Sequence, residues 1–208
     1  MNESTSDTYR TLQTASHAEI KVKGSRFLAT ACPVQTRAEA EAELARISRR
    51  FHDATHNCFA YQVGVHKAIY RSSDAGEPAG TAGQPILKVI QGAGLTNILV
   101  VVTRYFGGTK LGIGGLIKAY TQATQAALAA AKIVEIPILK RLRVQTAYEH
   151  VPRVMRVIGS TGAQVVDSQY GETVRLTLDV PVQRTETLKN ALINGTSGQA
   201  KIEDVEQP

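Results

Sequence analysis

The scarce residues in this chain narrow its function before the abundant ones do. It has no tryptophan, 5% aromatic residues and two cysteines in 208 residues. Cys32 and Cys58 have no companions at metal-ligand spacing, so they read as small buried hydrophobes kept as thiols in a reducing compartment. No uninterrupted apolar run approaches the roughly 20 residues of a membrane-spanning helix. The polar stretch from Met1 to Thr14 is unlike a signal peptide, so a cytoplasmic protein with no membrane contact is expected. His17, His52, His66 and His150 are isolated in sequence, and no metal or cofactor is expected from them.

What is present is a foldable mixture, 43% hydrophobic and 20% charged, with a formal charge of +6. Residues 1–136 hold 15 Lys+Arg against 10 Asp+Glu and residues 137–208 hold 9 against 8, so the first segment carries +5 of the +6. An excess of this size is compatible with a phosphate-rich partner, since neutralised phosphates release condensed counterions.

Periodicity divides the chain at Pro137 into residues 19–136 and 137–206. Residues 1–18 are polar and aperiodic and read as a tail. Strands follow at 19–23 and 27–33. Thr36 caps a helix to about residue 51, with Ala40, Leu44, Ile47 and Phe51 on its core face. Arg46, Arg49 and Arg50 lie on its other face, where they either track a phosphate backbone or are simply solvated. Residues 57–65 alternate as a strand, 71–85 are too rich in breakers for regular structure, and 86–93 form a short helix. The apolar run at 95–103 reads as a strand buried on both faces. A glycine-dense segment at 104–115 then leads into an alanine-rich helix from 113 to about 134.

After Pro137 the pattern is strand 138–147, helix 149–159, strands 163–169 and 172–180, helix 183–194 and strand 199–205. That is βαββαβ, a ferredoxin-like domain. The whole is of the α+β class.

Two loops are candidates for chemistry. Ser73-Asp74-Ala75-Gly76-Glu77-Pro78-Ala79-Gly80-Thr81-Ala82-Gly83 sets carboxylates and a hydroxyl among glycines. Asp74, Glu77 and Thr81 either form a small hydrolytic or nucleotide site, or else Asp74 caps backbone donors while Glu77 pairs with a base. Two carboxylates alone make a thin cation site. The second loop, Arg104-Tyr105-Phe106-Gly107-Gly108-Thr109-Lys110 and onward to Gly115, joins the buried strand to the long helix. Its glycines permit close backbone approach, either to an anion at the helix start or to a neighbouring chain segment. It matches neither the phosphate loop nor the dinucleotide fingerprint. His56 and Cys58 invite a Cys/His reading, but no orienting third group is evident and a core cysteine is preferred.

The segments Gly76-Glu77-Pro78-Ala79-Gly80-Thr81-Ala82-Gly83, Arg104-Tyr105-Phe106-Gly107-Gly108 with Leu111-Gly112, and Ala54-Thr55-His56-Asn57-Cys58-Phe59-Ala60-Tyr61 resemble the signature of the YigZ/IMPACT family. The resemblance covers about residues 19 to 205. It implies an N-terminal domain with the left-handed βαβ fold of a ribosomal protein domain and of elongation factor G domain IV. It also implies a C-terminal domain like that factor's domain V. The family's first loop commonly has two consecutive acids where this chain has Asp74 followed by Ala75, which weakens any metal site there. Eukaryotic relatives regulate translation by binding a protein partner. The resemblance therefore implies a regulator of translation that binds RNA, ribosomes or a ribosome-associated protein. Arg104, Tyr105, Gly107, Gly108, Lys110 and Lys118 are the expected contacts, with Arg49 and Arg50 as an outlying patch and no catalytic residue.

Overall fold

The computed structural model describes residues 7–65 and 68–205; His66 lies outside them. The chain divides into two compact units, Tyr9–Ile136 and a second from Pro137 onward that also takes in Thr8.

In the first unit, β2 (Ser16–Val22), β3 (Ser25–Pro33), β4 (His56–Val63), β5 (Ile69–Ser73) and β6 (Ile98–Tyr105) form one sheet in the order β2-β3-β6-β4-β5. β6 is antiparallel to both β3 and β4. Those two strands are therefore parallel to each other, and α1 (Arg37–Arg50) links them in a βαβ unit. The Thr36 hydroxyl accepts the Glu39 N–H at 3.1 Å, which caps α1 as its position in the sequence predicts.

The apolar run of β6 is buried because helices cover both faces of the sheet. Ile98, Val100 and Val102 pack with α2 (Gly83–Gly92) and α3 (Gly112–Ala129), whereas Leu99 and Val101 pack with Ala40 and Ile47 of α1. Ala119, Ala123 and Ala127 give α3 a flat buried face.

Three expectations are corrected here. Residues 8–12 are a strand, β1 (Thr8–Leu12), and β2 begins at Ser16, within the stretch read as a tail. The partner of β1 is β7 (Ile133–Pro137), so local composition carries no sign of the pairing. The long helix ends at Ala129 rather than near 134, because the β-branched Ile133, Val134 and Ile136 suit the strand that follows. The edge strand β5 (Ile69–Ser73) runs into the start of the stretch at 71–85 read as a loop.

The second unit runs β8 (Leu139–Thr146), a 3-10 turn (Tyr148–His150), α4 (Val151–Thr161), β9 (Gln164–Tyr170), β10 (Val174–Pro181), α5 (Thr185–Gly195) and β11 (Lys201–Val205). The strand order is β11-β8-β10-β9 with every neighbouring pair antiparallel, the ferredoxin-like arrangement. Gly162, at φ 71°, ends α4 in the left-handed conformation that glycine adopts without steric cost. Leu142, Val144, Leu176 and Leu178 point to α4 and α5, meeting Val154, Ile158, Leu188 and Leu192. Alternation puts Arg141, Arg143, Arg175 and Thr177 on the opposite face, which no helix of this unit covers. Among the described residues, no helix is long and apolar enough to cross a membrane.

Candidate functional site

Both signature loops of the first unit close on Arg104. Near the end of β6, Arg104 stands abreast of Phe27 on β3 and His56 on β4. It continues the face that Val102 and Val100 turn toward α2 and α3. The side chain is consequently drawn inward, and the residue is 5% exposed. Its Nη1 donates to Glu77 Oε1 at 2.7 Å and its Nη2 to Ser25 Oγ at 3.3 Å. The Phe27 and Phe106 rings flank the guanidinium at 5.4 and 5.6 Å. The reading of Arg104 as an outward cationic contact is therefore corrected: its charge is neutralised inside the domain.

Glu77 is the hub of this cluster. Tyr120 of α3 donates its hydroxyl to Glu77 Oε1 at 2.8 Å, and the Cys58 thiol donates to the Tyr120 oxygen at 3.3 Å. His56 places Nδ1 2.9 Å from the Ala75 carbonyl and Nε2 3.9 Å from Glu77 Oε2. Burial pushes the Cys58 thiol up to about 12, with the Glu77 and Asp74 charges adding to the effect against the Tyr120 hydrogen bond. Such a thiol holds little nucleophilic thiolate. The Cys58 and His56 pair thus serves the interior.

Asp74 is committed to backbone. One oxygen accepts the Ala82 and Gly83 amides at 2.9 Å each and the other accepts the Gly80 amide at 2.8 Å. Partial burial works to raise its pKa, but the amides of Gly80, Gly83 and Ala82 outweigh it and hold the carboxyl below its ordinary 3.8. Thr81, 1% exposed, donates its hydroxyl to the Pro78 carbonyl at 2.7 Å. Of the two readings of this loop, the geometry is that of a capped turn with Glu77 paired to a base. Among the described residues, no cluster of His, Cys, Asp and Glu is arranged to hold a metal ion.

The glycines of the second loop divide in use. A Cβ on Gly107 would lie 1.9 Å from the Gly24 carbonyl carbon, so that glycine allows two backbones to touch. Gly108 and Gly112 have positive φ with open space beside them and shape the exposed turn into α3.

The outward residues form a separate set. Phe106 is 48% exposed, Ile113 65% and Ile117 39%, and Lys110 and Lys118 are exposed beside them in the chain. Lys118 sits six residues into α3, about 9 Å along the axis from its start. Tyr105 is half-buried, its hydroxyl donating to Asp53 at 2.9 Å with Arg26 over its ring. Arg49 and Arg50 are exposed at the end of α1, in the helical layer on the other face of the sheet from α3. The structure thus puts Lys110 in the turn before α3 and Lys118 within α3, and places Arg49 and Arg50 elsewhere. Sequence reasoning missed Ser25 and Tyr120, which bond across 79 and 43 positions. It also missed the exposed pair Ile113 and Ile117, whose i, i+4 spacing was the available signal.

A helix-covered antiparallel sheet carrying a buried Arg–Glu–Tyr cluster, followed by a ferredoxin-like unit, is a defined class of two-domain α+β protein. The Impact N-terminal domain model matches residues 23–128, and a domain of unknown function matches residues 144–199. The chain belongs to the IMPACT family. It is 32% identical over 198 residues to IMPACT family member YvyE of Bacillus subtilis (strain 168), covering 95% of this chain and 91% of that one. It is 29% identical over 189 residues to IMPACT family member YigZ of Escherichia coli (strain K12), covering 90% and 93%. A crystal structure of a hypothetical protein superposes with a TM-score of 0.77 at 26% identity, covering 98% of this chain and all of that one.

Proposed function

We propose that this chain is a non-catalytic regulator of translation in the cytoplasm, and that the turn into α3 is where its first domain meets the phosphate backbone of structured or ribosomal RNA. The observation that carries this reading is the exposed Lys110, set with Phe106 and Ile113 among glycines at a helix start, with Lys118 exposed further along the same helix. The first helical amides there have no side-chain cap and no acid in the first turn, so the local field favours an anion. Family membership supports the link to translation, since the resemblance implies regulation of protein synthesis.

The hydrolytic reading draws on Asp74, Glu77 and Thr81, and the geometry does not favour it. Asp74 is held by three amides, Glu77 by Arg104 and Tyr120, and the Thr81 proton by a carbonyl.

The test is binding of structured ribosomal RNA followed by fluorescence anisotropy across a salt series. Replacing Lys110 and Lys118 with Gln is expected to weaken binding and flatten the log–log salt dependence by about 0.9 for each phosphate left without its lysine. Unchanged affinity and slope would remove the α3 turn from the interface. A protein partner that copurifies after nuclease treatment and is absent with the same variant would reassign the surface to protein.

A further inference from the structure

The second domain carries a cationic cluster that the first domain's site does not use. On its uncovered sheet face, Arg143, Gln145, Arg175, Lys201 and Glu203 line a shallow polar depression of about 210 Å³. Strand pairing sets these side chains in two rows: Arg175, Gln145 and Lys201 are cross-strand neighbours on β10, β8 and β11, and Arg143 lies in the next row between Thr177 and Glu203. Adjacent strands are about 4.8 Å apart, so Arg175 and Lys201 are separated by roughly 10 Å. A backbone spacing of that order accommodates successive charges along an extended chain.

The free charge here is positive. Asp179, the acid nearest on β10, is already held by Arg141 through contacts of 2.7 and 2.8 Å. Arg143 and Lys201 make no hydrogen bond or ion pair among the described residues, and Arg175 has a single 3.4 Å contact to Gln169. Glu203 pairs in register with Arg143 but forms no salt bridge with it. Cationic side chains without carboxylate partners on an uncovered face are complementary to an anion.

β8, β10 and β11 carry no aromatic side chain. Tyr170 of the edge strand β9 is 69% exposed and lines an adjoining depression with Gln145, Gln169 and Arg175. A single ring at the edge does not supply the row of stacking platforms found on single-strand-binding sheets, so the cations facing phosphate are the main contact.

We infer that the uncovered sheet face of the second domain binds the phosphate backbone of a single-stranded nucleic acid through Arg143, Arg175 and Lys201, without reading its bases. This goes beyond the role proposed for Lys110 and Lys118, and the face would serve as a second contact in a different domain. Binding there depends steeply on salt and little on base sequence.

The experiment uses the full chain and an oligouridine probe of about 12 nucleotides, within the range of single-strand site sizes, with oligoadenosine of the same length as the comparison. R143Q/R175Q is expected to flatten the log–log salt slope by about 1.4, at about 0.7 per phosphate on a single strand. Between roughly 50 and 200 mM salt, wild type then loses about seven-fold more affinity than the variant. E203Q, which removes the one acid in the depression, is expected to tighten binding, and the two probes are expected to bind within a few-fold of each other. R153Q/R156Q deletes the same charge from α4, on the helical side, and is expected to leave the slope near wild type.

Any of these results would overturn the inference: no binding of either probe by wild type, an unchanged salt slope in R143Q/R175Q, an R153Q/R156Q effect equal to that of R143Q/R175Q, or weaker binding by E203Q. K110Q/K118Q, run with the same probe, keeps the two sites apart. If it abolishes binding while R143Q/R175Q does not, the sheet face is rejected and the α3 turn retained. The reverse pattern retains the sheet face for single strands, and the α3 turn is then judged by structured ribosomal RNA alone.

Discussion

Two arginine–carboxylate pairs, one in each domain, have nearly the same contact distance and very different surroundings. Arg104 meets Glu77 at 2.7 Å with side-chain exposures of 6% and 3%, whereas Arg141 meets Asp179 at 2.7 Å with 31% and 14%. The first pair lies beneath helices; the second lies on a sheet face left open to water. Distance does not distinguish them, but solvent does. Desolvating two charges costs about as much as their attraction returns, so the buried pair adds little net stability while it is intact, and losing either partner strands the other. The second pair is only part-buried and keeps more of its hydration, so it gives less in either direction.

The largest expected effect follows from this contrast. Glu77→Ala leaves a buried guanidinium with one neutral hydroxyl as its hydrogen-bonding partner, Ser25, and also removes the acceptor of Tyr120. A loss of about 3 to 5 kcal/mol is expected in urea unfolding of the first domain. A loss below about 1 kcal/mol would show that water reaches Arg104 and would erase the distinction between the pairs.

Asp74 is the intermediate case, a carboxylate whose partners are amides rather than a cation. Asp74→Asn keeps one acceptor oxygen and turns an NH2 group toward N–H donors, so about 1 to 3 kcal/mol is expected. The pH dependence has a definite sign. Because the folded pKa lies below the ordinary 3.8, the unfolded chain binds the proton more readily and stability rises with pH between the two values. The wild-type advantage over the Asn variant is therefore full above about pH 5 by this linkage, roughly one unit past the unfolded value, and shrinks as pH falls through the folded pKa. Urea midpoints of both proteins along a pH series check it; a constant difference down to acid would mean that the charge of Asp74 is irrelevant.

These residues also show what could be read before the fold was known. The run through Ile98 and Val102 announced a strand buried on both faces, and Thr36 announced a cap, because each signal is local and repeats at the period of its element. The βαββαβ order of the second domain was legible for the same reason. The pairing of β1 with β7 was not, since its two strands lie at opposite ends of the first domain and β1 is short and polar. Arg104 shows the limit most clearly. An arginine beside glycines reads as an exposed anion contact. Its inward direction is decided by strand parity and by Phe27, Ser25 and Tyr120, none of which adjoins it in sequence. The Asp74 and Glu77 roles were legible as one of two alternatives, and the choice between them depended on amide positions that composition does not reveal. Arg143, Arg175 and Lys201 were overlooked as a group because they come from three strands whose register brings them together.

The smallest effect is the one that completes the comparison. Asp179→Ala removes both hydrogen bonds to Arg141, but the freed guanidinium remains at the surface of the open sheet, where water replaces the carboxylate. About 1 kcal/mol or less is expected in urea unfolding of the second domain. That loss should shrink further with added salt, because the Debye length is about 8 Å at physiological ionic strength. The same substitution uncovers a cation next to Arg143 on the face proposed to hold phosphate, so oligouridine binding should strengthen while stability slightly falls. A loss as large as that of Glu77→Ala would mean that this face is covered in solution, and a phosphate backbone could not reach it.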